Sequence, residues 1–393
     1  MIRWIQSDFW EDFSAELRYL GVREKWENLV DRFNPNLTFK IGALSAAQIA
    51  WFRSYLQQHG VPFWLESKNE NPGSLIVSFP NRQIVYTLIE NAVTELGSVT
   101  AALKLVLKNI SRSEWCFSLP QSELKIDRPL IMGILNITPD SFSDGGKFLH
   151  PEKAARHALQ MADAGADMID LGAESTRPGA QPVGLEEEWQ RIQPVLRQIR
   201  AATSLPISVD TYKAEIARRA LSEGADVIND ISGFTFDPQV PAVVASAGVP
   251  VVLMHIKGAP RNMQQNPRYQ NLMEEIFLFL NRQIGLARTF GIQQIIVDPG
   301  IGFGKRLADN FEIIRRLKEF SVLGVPILVG PSRKSFLRTG KNLLPQERVW
   351  GTAAAVALSI ANGAHIVRVH DVAEMRKVIE IVQSIQTAKS PGE

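Results

Sequence analysis

One cysteine, Cys116, stands among 393 residues, which excludes an internal disulfide and any cysteine-based metal cluster. The six histidines are scattered, so no Cys/His set has metal-ligand spacing. An excess of one charge is also missing. The formal net charge is +2, which gives no electrostatic reason to expect nucleic acid or another polyanion as partner. Uninterrupted apolar runs of membrane length are absent as well. Segments 239–256 and 350–367 lack Asp, Glu, Lys and Arg, but Pro241, Pro250 and His255 break the first, and Asn362 and His365 the second. Both read as a buried helix running into a buried strand, and no membrane association is expected. Acids at Asp8, Glu11 and Asp12 occupy the place of an export signal's apolar stretch, so a reducing, cytoplasmic setting is expected. Nucleotide-binding loops are lacking too: the glycines of residues 298–305, DPGIGFGK, fit neither phosphate-loop spacing.

What is present is a soluble composition, 45% hydrophobic and 21% charged, in a chain longer than one ordinary domain. Residues 1–120 form a tryptophan-rich region, with helices predicted near 7–20, 45–59 and 82–96 and strands near 37–41, 62–66 and 75–79. This is a small α/β domain of unknown role, and its excision is expected to leave an active remainder. Residues 121–129, bracketed by Pro120 and Pro129, read as a linker. Eight short apolar runs then recur, at 130–136, 168–171, 207–210, 227–230, 251–255, 295–298, 327–330 and 366–370. Each ends in polar residues and leads into a helical stretch. Eight such units in roughly 260 residues predict a (β/α)8 TIM barrel over 130–386, with a C-terminal tail at 387–393; an open doubly wound sheet competes. Gly165, Gly224, Gly248, Gly291, Gly324 and Gly363 stop six of the helices, and the acids of 186–188 read as a solvated helix start.

In such a barrel the C-terminal strand ends ring one face, and that face carries the site. Here they supply Asn136, Asp170, Asp210, Asn229, Asp230, His255, Asp298, Ser332, Lys334, Arg368 and His370. Asp170 and Asp230 read first as caps of the following helices. Asp210, Asn229 and Asp298 offer the acceptors and amide donors that pair with the edge of a flat nitrogen heterocycle, a pterin or a purine. Arg177, Lys334, Arg368 and His370 are cationic or able to become so, and Arg368 and His370 lie two apart on one strand, on one side, as a phosphate clamp requires. Lys334 is also a candidate Schiff-base lysine. Two polar loops, 138–146 with Phe142 at its centre and 174–180, have the composition of lids.

The motifs LNITPDSFSDGG, DLGAESTRPGA, SVDTYK, INDISG, MHIKGAPRNMQ, DPGIGFGK, GPSRKSF and RVHDV follow one another in an order that resembles the dihydropteroate synthase family over about residues 128–386. Ala173 stands where that family often has glycine. The resemblance implies condensation of a dihydropterin pyrophosphate with p-aminobenzoate, with Mg²⁺ held at Asn136. It implies that Asp210, Asn229, Asp298 and Lys334 hold the pterin, with Met254 on its face, and that Arg177, Arg368 and His370 grip the pyrophosphate. Thr176, Pro178, Phe303, Lys334 and Ser335 would line the p-aminobenzoate pocket, Asp210, Lys334, Arg368 and His370 would be catalytic, and a homodimer is expected. Two rivals stand beside this: a pterin-dependent methyltransferase, which binds no pyrophosphate, and a non-catalytic pterin-binding scaffold.

Overall fold

The computed structural model describes residues 1–5, 10–19, 37–65, 73–137, 150–177, 179–337 and 344–388. The expected lid at 138–146, Pro178 and most of the C-terminal tail lie outside them. Two compact units emerge, and their boundaries differ from those expected. The first is Met1–Arg112 together with Tyr269–Phe277 and Lys318–Gly324; the second is Ser113–Arg268, Leu278–Leu317 and Val325–Glu393.

The first unit contains β1 (Ile2–Trp4), α1 (Trp10–Tyr19), β2 (Thr38–Leu44), α2 (Ala46–Gln58), β3 (Phe63–Leu65), β4 (Gly73–Ser78), α3 (Arg82–Glu90) and α4 (Gly97–Ile110). Its strands make an antiparallel sheet in the order β1-β2-β4-β3. Local chemistry fixes the helix starts. Ser45 and Gln48 form a reciprocal capping box at α2, and the Asn81 side chain accepts from the Ile84 amide at 3.1 Å to start α3. Below the apolar core lies a charged one. Arg3 donates to Glu274 at 3.1 Å and pairs with Glu16, Lys40 donates to Glu274 at 2.6 Å, and Asn271 donates to Glu16 at 2.8 Å. All four charged groups are buried, and their mutual pairing is what makes that tolerable.

The second unit opens with a hairpin, β5 (Trp115–Ser118), at the end of the stretch expected to be the N-terminal domain, and β6 (Glu123–Ile126), in the segment expected to be a linker. The strands β7 (Leu130–Asn136), β8 (Met168–Gly172), β9 (Ile207–Asp210), β10 (Val227–Asp230), β11 (Val251–Met254), β12 (Ile295–Asp298), β13 (Leu328–Val329) and β14 (Ile366–Val369) follow. Between and after them run α5 (Pro151–Asp163), α6 (Leu185–Ala202), α7 (Ala214–Ser222), α8 (Val240–Ala247), α9 (Leu272–Thr289), α10 (Leu307–Arg315), α11 (Val349–Ala361) and α12 (Val372–Thr387). The eight strands are parallel in the order β12-β11-β10-β9-β8-β7-β14-β13, and a parallel bridge between Val297 and Ile327 closes the ring. This is the expected (β/α)8 barrel.

The hairpin stoppers that barrel. Trp115, Phe117, Leu119, Leu124 and Ile126 form one buried cluster with Leu130, Met132, Met168, Val227, Val252, Ile296, Leu328 and Ile366 from the first halves of the strands. Side chains alternate along a strand, so the residues two further on share the interior face. Those residues are Asp170 after Met168, Asn229 after Val227, Met254 after Val252, Asp298 after Ile296 and Arg368 after Ile366. An apolar floor therefore lies directly beneath a polar layer.

Candidate active site

Arg368 is the hub of that layer. Its Nε donates to Asp170 Oδ2 at 2.5 Å and its Nη2 to Asp210 Oδ2 at 2.8 Å, while Asn229 Nδ2 donates to the same Asp170 oxygen at 3.1 Å. Asp170 thus ties strands β8, β10 and β14 together and caps no helix. The expected capping role is corrected: the arginine that satisfies it lies far along the chain, out of reach of a local reading. Its other oxygen, Oδ1, is buried with no hydrogen-bond partner among the described residues. Asp230 bonds locally but caps no helix either: its carboxylate accepts from the Ser232 and Phe234 amides, each at 2.8 Å, in the turn after β10, well before α8 begins.

Burial dominates the electrostatics here. It raises the pKa of Asp210, against the pull of Arg368 and with a further push from Asp170, and it raises that of Asp298 against Lys334. It lowers Lys334 to about 8, with Asp298 opposing the fall. A bare glycine separates two of the acceptors. Gly172 pairs with Asn136 on one side and Asp210 on the other. A Cβ built on it would meet Asn136 Oδ1 at 3.7 Å and Asp210 Oδ2 at 3.6 Å. Those two oxygens therefore face a common space.

The loop after β12 is shaped by Lys305, a residue that sequence reasoning passed over as part of a glycine run. Its buried ammonium donates to the carbonyls of Gly300 at 2.8 Å and Phe303 at 3.0 Å, and lies 3.0 Å from His255 Nδ1. Gly300 has φ of 73°, and a Cβ there would lie 1.8 Å from the His255 carbonyl oxygen, so only glycine fits. The loop so held presents Ile301 O, which accepts from Lys334, and Phe303, whose ring centroid lies 4.5 Å from Lys334 Nζ. Tyr212 and Phe303 pack against Ile231, Met254, Ile256 and Met263, an apolar patch beside the polar ring.

His370 is set differently from the expected cation. Burial, then Arg333 and Arg368, lower its pKa to about 3, so the ring is neutral near pH 7. Ser332 Oγ accepts from the His370 amide at 3.1 Å and lies 3.0 Å from its Nδ1. The contact with Ser332 occupies Nδ1 and orients the ring. Thr176 is half-buried, while Arg177 and Ser335 are exposed at the ends of β8 and β13. The structure thus brings Asp210, Asn229, Asp298, Lys334, Arg368 and Met254 to one mouth; Pro178 lies outside the described residues. Among those residues no cluster of three or more His, Cys, Asp or Glu could hold a metal.

Comparison with known proteins adds the following. The family described as "Pterin binding enzyme" matches residues 132–370. The dihydropteroate synthase of Synechocystis sp. is 49% identical over 263 residues, 66% of this chain and 90% of that protein. The crystal structure of Yersinia pestis dihydropteroate synthase in a sulfonamide drug complex covers 70% of this chain and 100% of its own, with a TM-score of 0.66 and 41% identity. The Xanthomonas albilineans dihydropteroate synthase with 4-aminobenzoic acid covers 70% and 99%, with a TM-score of 0.66 and 42% identity.

Proposed function

Because the chain belongs to the dihydropteroate synthase family of pterin-binding enzymes, we propose that its polar ring holds a dihydropterin by Asp210, Asn229, Asp298 and Lys334, with Met254 against the pterin face. The activity is that of a transferase: 6-hydroxymethyl-7,8-dihydropterin pyrophosphate and p-aminobenzoate give 7,8-dihydropteroate and pyrophosphate. The observation that carries the assignment of residues is the layer itself. Strands β8, β9, β10, β12 and β14 place three carboxylates, an amide and a guanidinium above an apolar floor, the setting that a flat, polar-edged ring demands.

Arg177, Arg368 and His370 receive the pyrophosphate in this reading. His370 does so as a neutral imidazole, and Arg368 by turning part of its five-donor fork from its carboxylates to the anion. Thr176, Pro178, Phe303, Lys334 and Ser335 line the p-aminobenzoate side. Mg²⁺ fits the residues present. The Asn136 amide oxygen is a hard donor beside Asp210, and a metal that takes most of its ligands from substrate phosphate and water needs no protein cluster. When bound there, Mg²⁺ would offset the negative charge that develops on the leaving pyrophosphate.

The chain's own groups suit a dissociative transfer. As the bond from the pterin methylene to the pyrophosphate oxygen breaks, the carbon becomes cationic, and the Asp210 carboxylate faces it. The weakly nucleophilic aryl amine then attacks and loses a proton. Mixing purified protein with both substrates, with and without Mg²⁺, should yield dihydropteroate only when the metal is present. Electron-withdrawing substituents on the pterin should slow the reaction, and a rate indifferent to them would overturn the dissociative step. We also infer a homodimer through α10–α12, where Phe311, Trp350, Leu358 and Ile385 lie exposed on consecutive helices. No helix among the described residues is long and apolar enough to cross a membrane.

A further inference from the structure

Outside the ring lies a second charged cluster with no part in the reaction as derived so far. Glu174, two residues past β8, accepts through Oε1 from the Tyr212 hydroxyl at 2.7 Å and through Oε2 from Lys213 Nζ at 2.6 Å and the Val183 amide at 3.1 Å. Lys213 Nζ also donates to the Val183 carbonyl at 2.6 Å and pairs with Glu188 in the first turn of α6. Glu188 in turn accepts from the Thr211 hydroxyl at 2.9 Å and is only 1% exposed, which corrects the expectation of a solvated helix start for this residue, while Glu186 and Glu187 are exposed as expected.

We infer that Lys213, with Glu174 and Tyr212, is a positioning latch that fastens the loop carrying Thr176 and Arg177 to the strand end carrying Asp210. The geometry is bilateral. Glu174 holds the loop at its beginning, Val183 and Glu188 hold it at its end, and all three converge on the residues that immediately follow Asp210. One ammonium neutralises two carboxylates, each mostly sequestered from water, so losing it leaves two buried acids facing each other. Burial lowers the lysine pKa less than its bonds to Glu174 and Glu188 raise it, so the latch stays charged. Tyr212 packs against the Met254 patch as well, which joins the latch to the proposed pterin face.

This inference rests on the roles proposed above for Thr176 and Arg177, so the test separates the two. In the full-length enzyme, Lys213→Met, Lys213→Arg, Glu174→Gln, Tyr212→Phe and Arg177→Ala are compared by melting temperature, calorimetric affinity for the dihydropterin pyrophosphate, and steady-state kcat and KM. Lys213→Met is expected to raise KM for p-aminobenzoate on the order of 10-fold and to weaken pterin-ester binding as well, because the displaced loop carries Thr176 for the one substrate and Arg177 for the other. Lys213→Arg should recover most of that loss, and Tyr212→Phe should shift KM in the same direction by a smaller factor. A folded Lys213→Met enzyme with unchanged KM for p-aminobenzoate and unchanged affinity for the pterin ester would overturn the latch. If Lys213→Met does not fold, an unchanged KM in Tyr212→Phe overturns it instead. Arg177→Ala reports on the other idea: if it leaves binding of both substrates intact, the loop's role in binding fails whatever the latch does.

Discussion

Lys334 is one residue of the site whose protonation changes close to neutral pH. Burial sets its pKa at about 8, and the facing charge of Asp298 keeps it from falling further. Asp298→Asn removes that support, so the alkaline limb of kcat/KM for the pterin ester, expected near pH 8, should move to lower pH. A limb that stays in place would show that another group sets it. The sign for stability runs the other way. A lysine whose folded pKa is lowered costs stability while charged, and that cost disappears as pH rises from about 8 toward the ordinary 10.5. Residue identity at the site was largely readable from the sequence, because a strand end is a fixed place in a barrel and polar residues there stand out against apolar runs. Asp170 and Glu188 were not readable for what they do. The first looks like a helix cap and the second like part of a solvated helix start, and only a partner brought in by the fold, Arg368 for one and Lys213 for the other, reveals a different role.

At the level of elements, the barrel strands were legible because each is an apolar run closed by polar residues, and their observed bounds differ from the expected ones by a residue or two. Three elements escaped. β1 has only three residues, too few for a period to show. α4 begins at Gly97, just where the helix expected near 82–96 ends, and was not expected at all. The β5–β6 hairpin hides between prolines and charges because only one face of each strand is apolar, as the alternating burial of Trp115–Ser118 and Glu123–Ile126 shows. Its packing gives a separable prediction. Phe117→Ala should cost about 3 kcal/mol of stability in a denaturant titration, as expected for a buried aromatic. KM for either substrate should hardly change, since the floor lies a layer below the site. A selective loss of substrate affinity with unchanged stability would contradict that arrangement.

For the whole molecule, the first unit is built from three stretches of chain, so it is no detachable appendage. Deleting residues 1–112 would remove Arg3 and Lys40, the buried partners of Glu274, and we expect the truncated chain to aggregate or to be cut rapidly by protease instead of remaining an active barrel. Lys40→Met, a milder change, should lower stability by about 3 kcal/mol with the fold retained. Self-association is the other property at this scale. Trp350 is 82% exposed on α11, and Trp350→Glu should convert a dimer to a monomer in sedimentation velocity; a wild-type monomer would refute the proposed face. The stopper at the barrel's floor, finally, sets an order of events during synthesis. The ribosome delivers Trp115, Phe117 and Ile126 before the first strand of the ring they are to seal, and β14, which joins β13 to β7, emerges last. Until that final strand arrives, a greasy wedge waits without its socket, and the nascent chain is most in need of a chaperone's shelter during that interval.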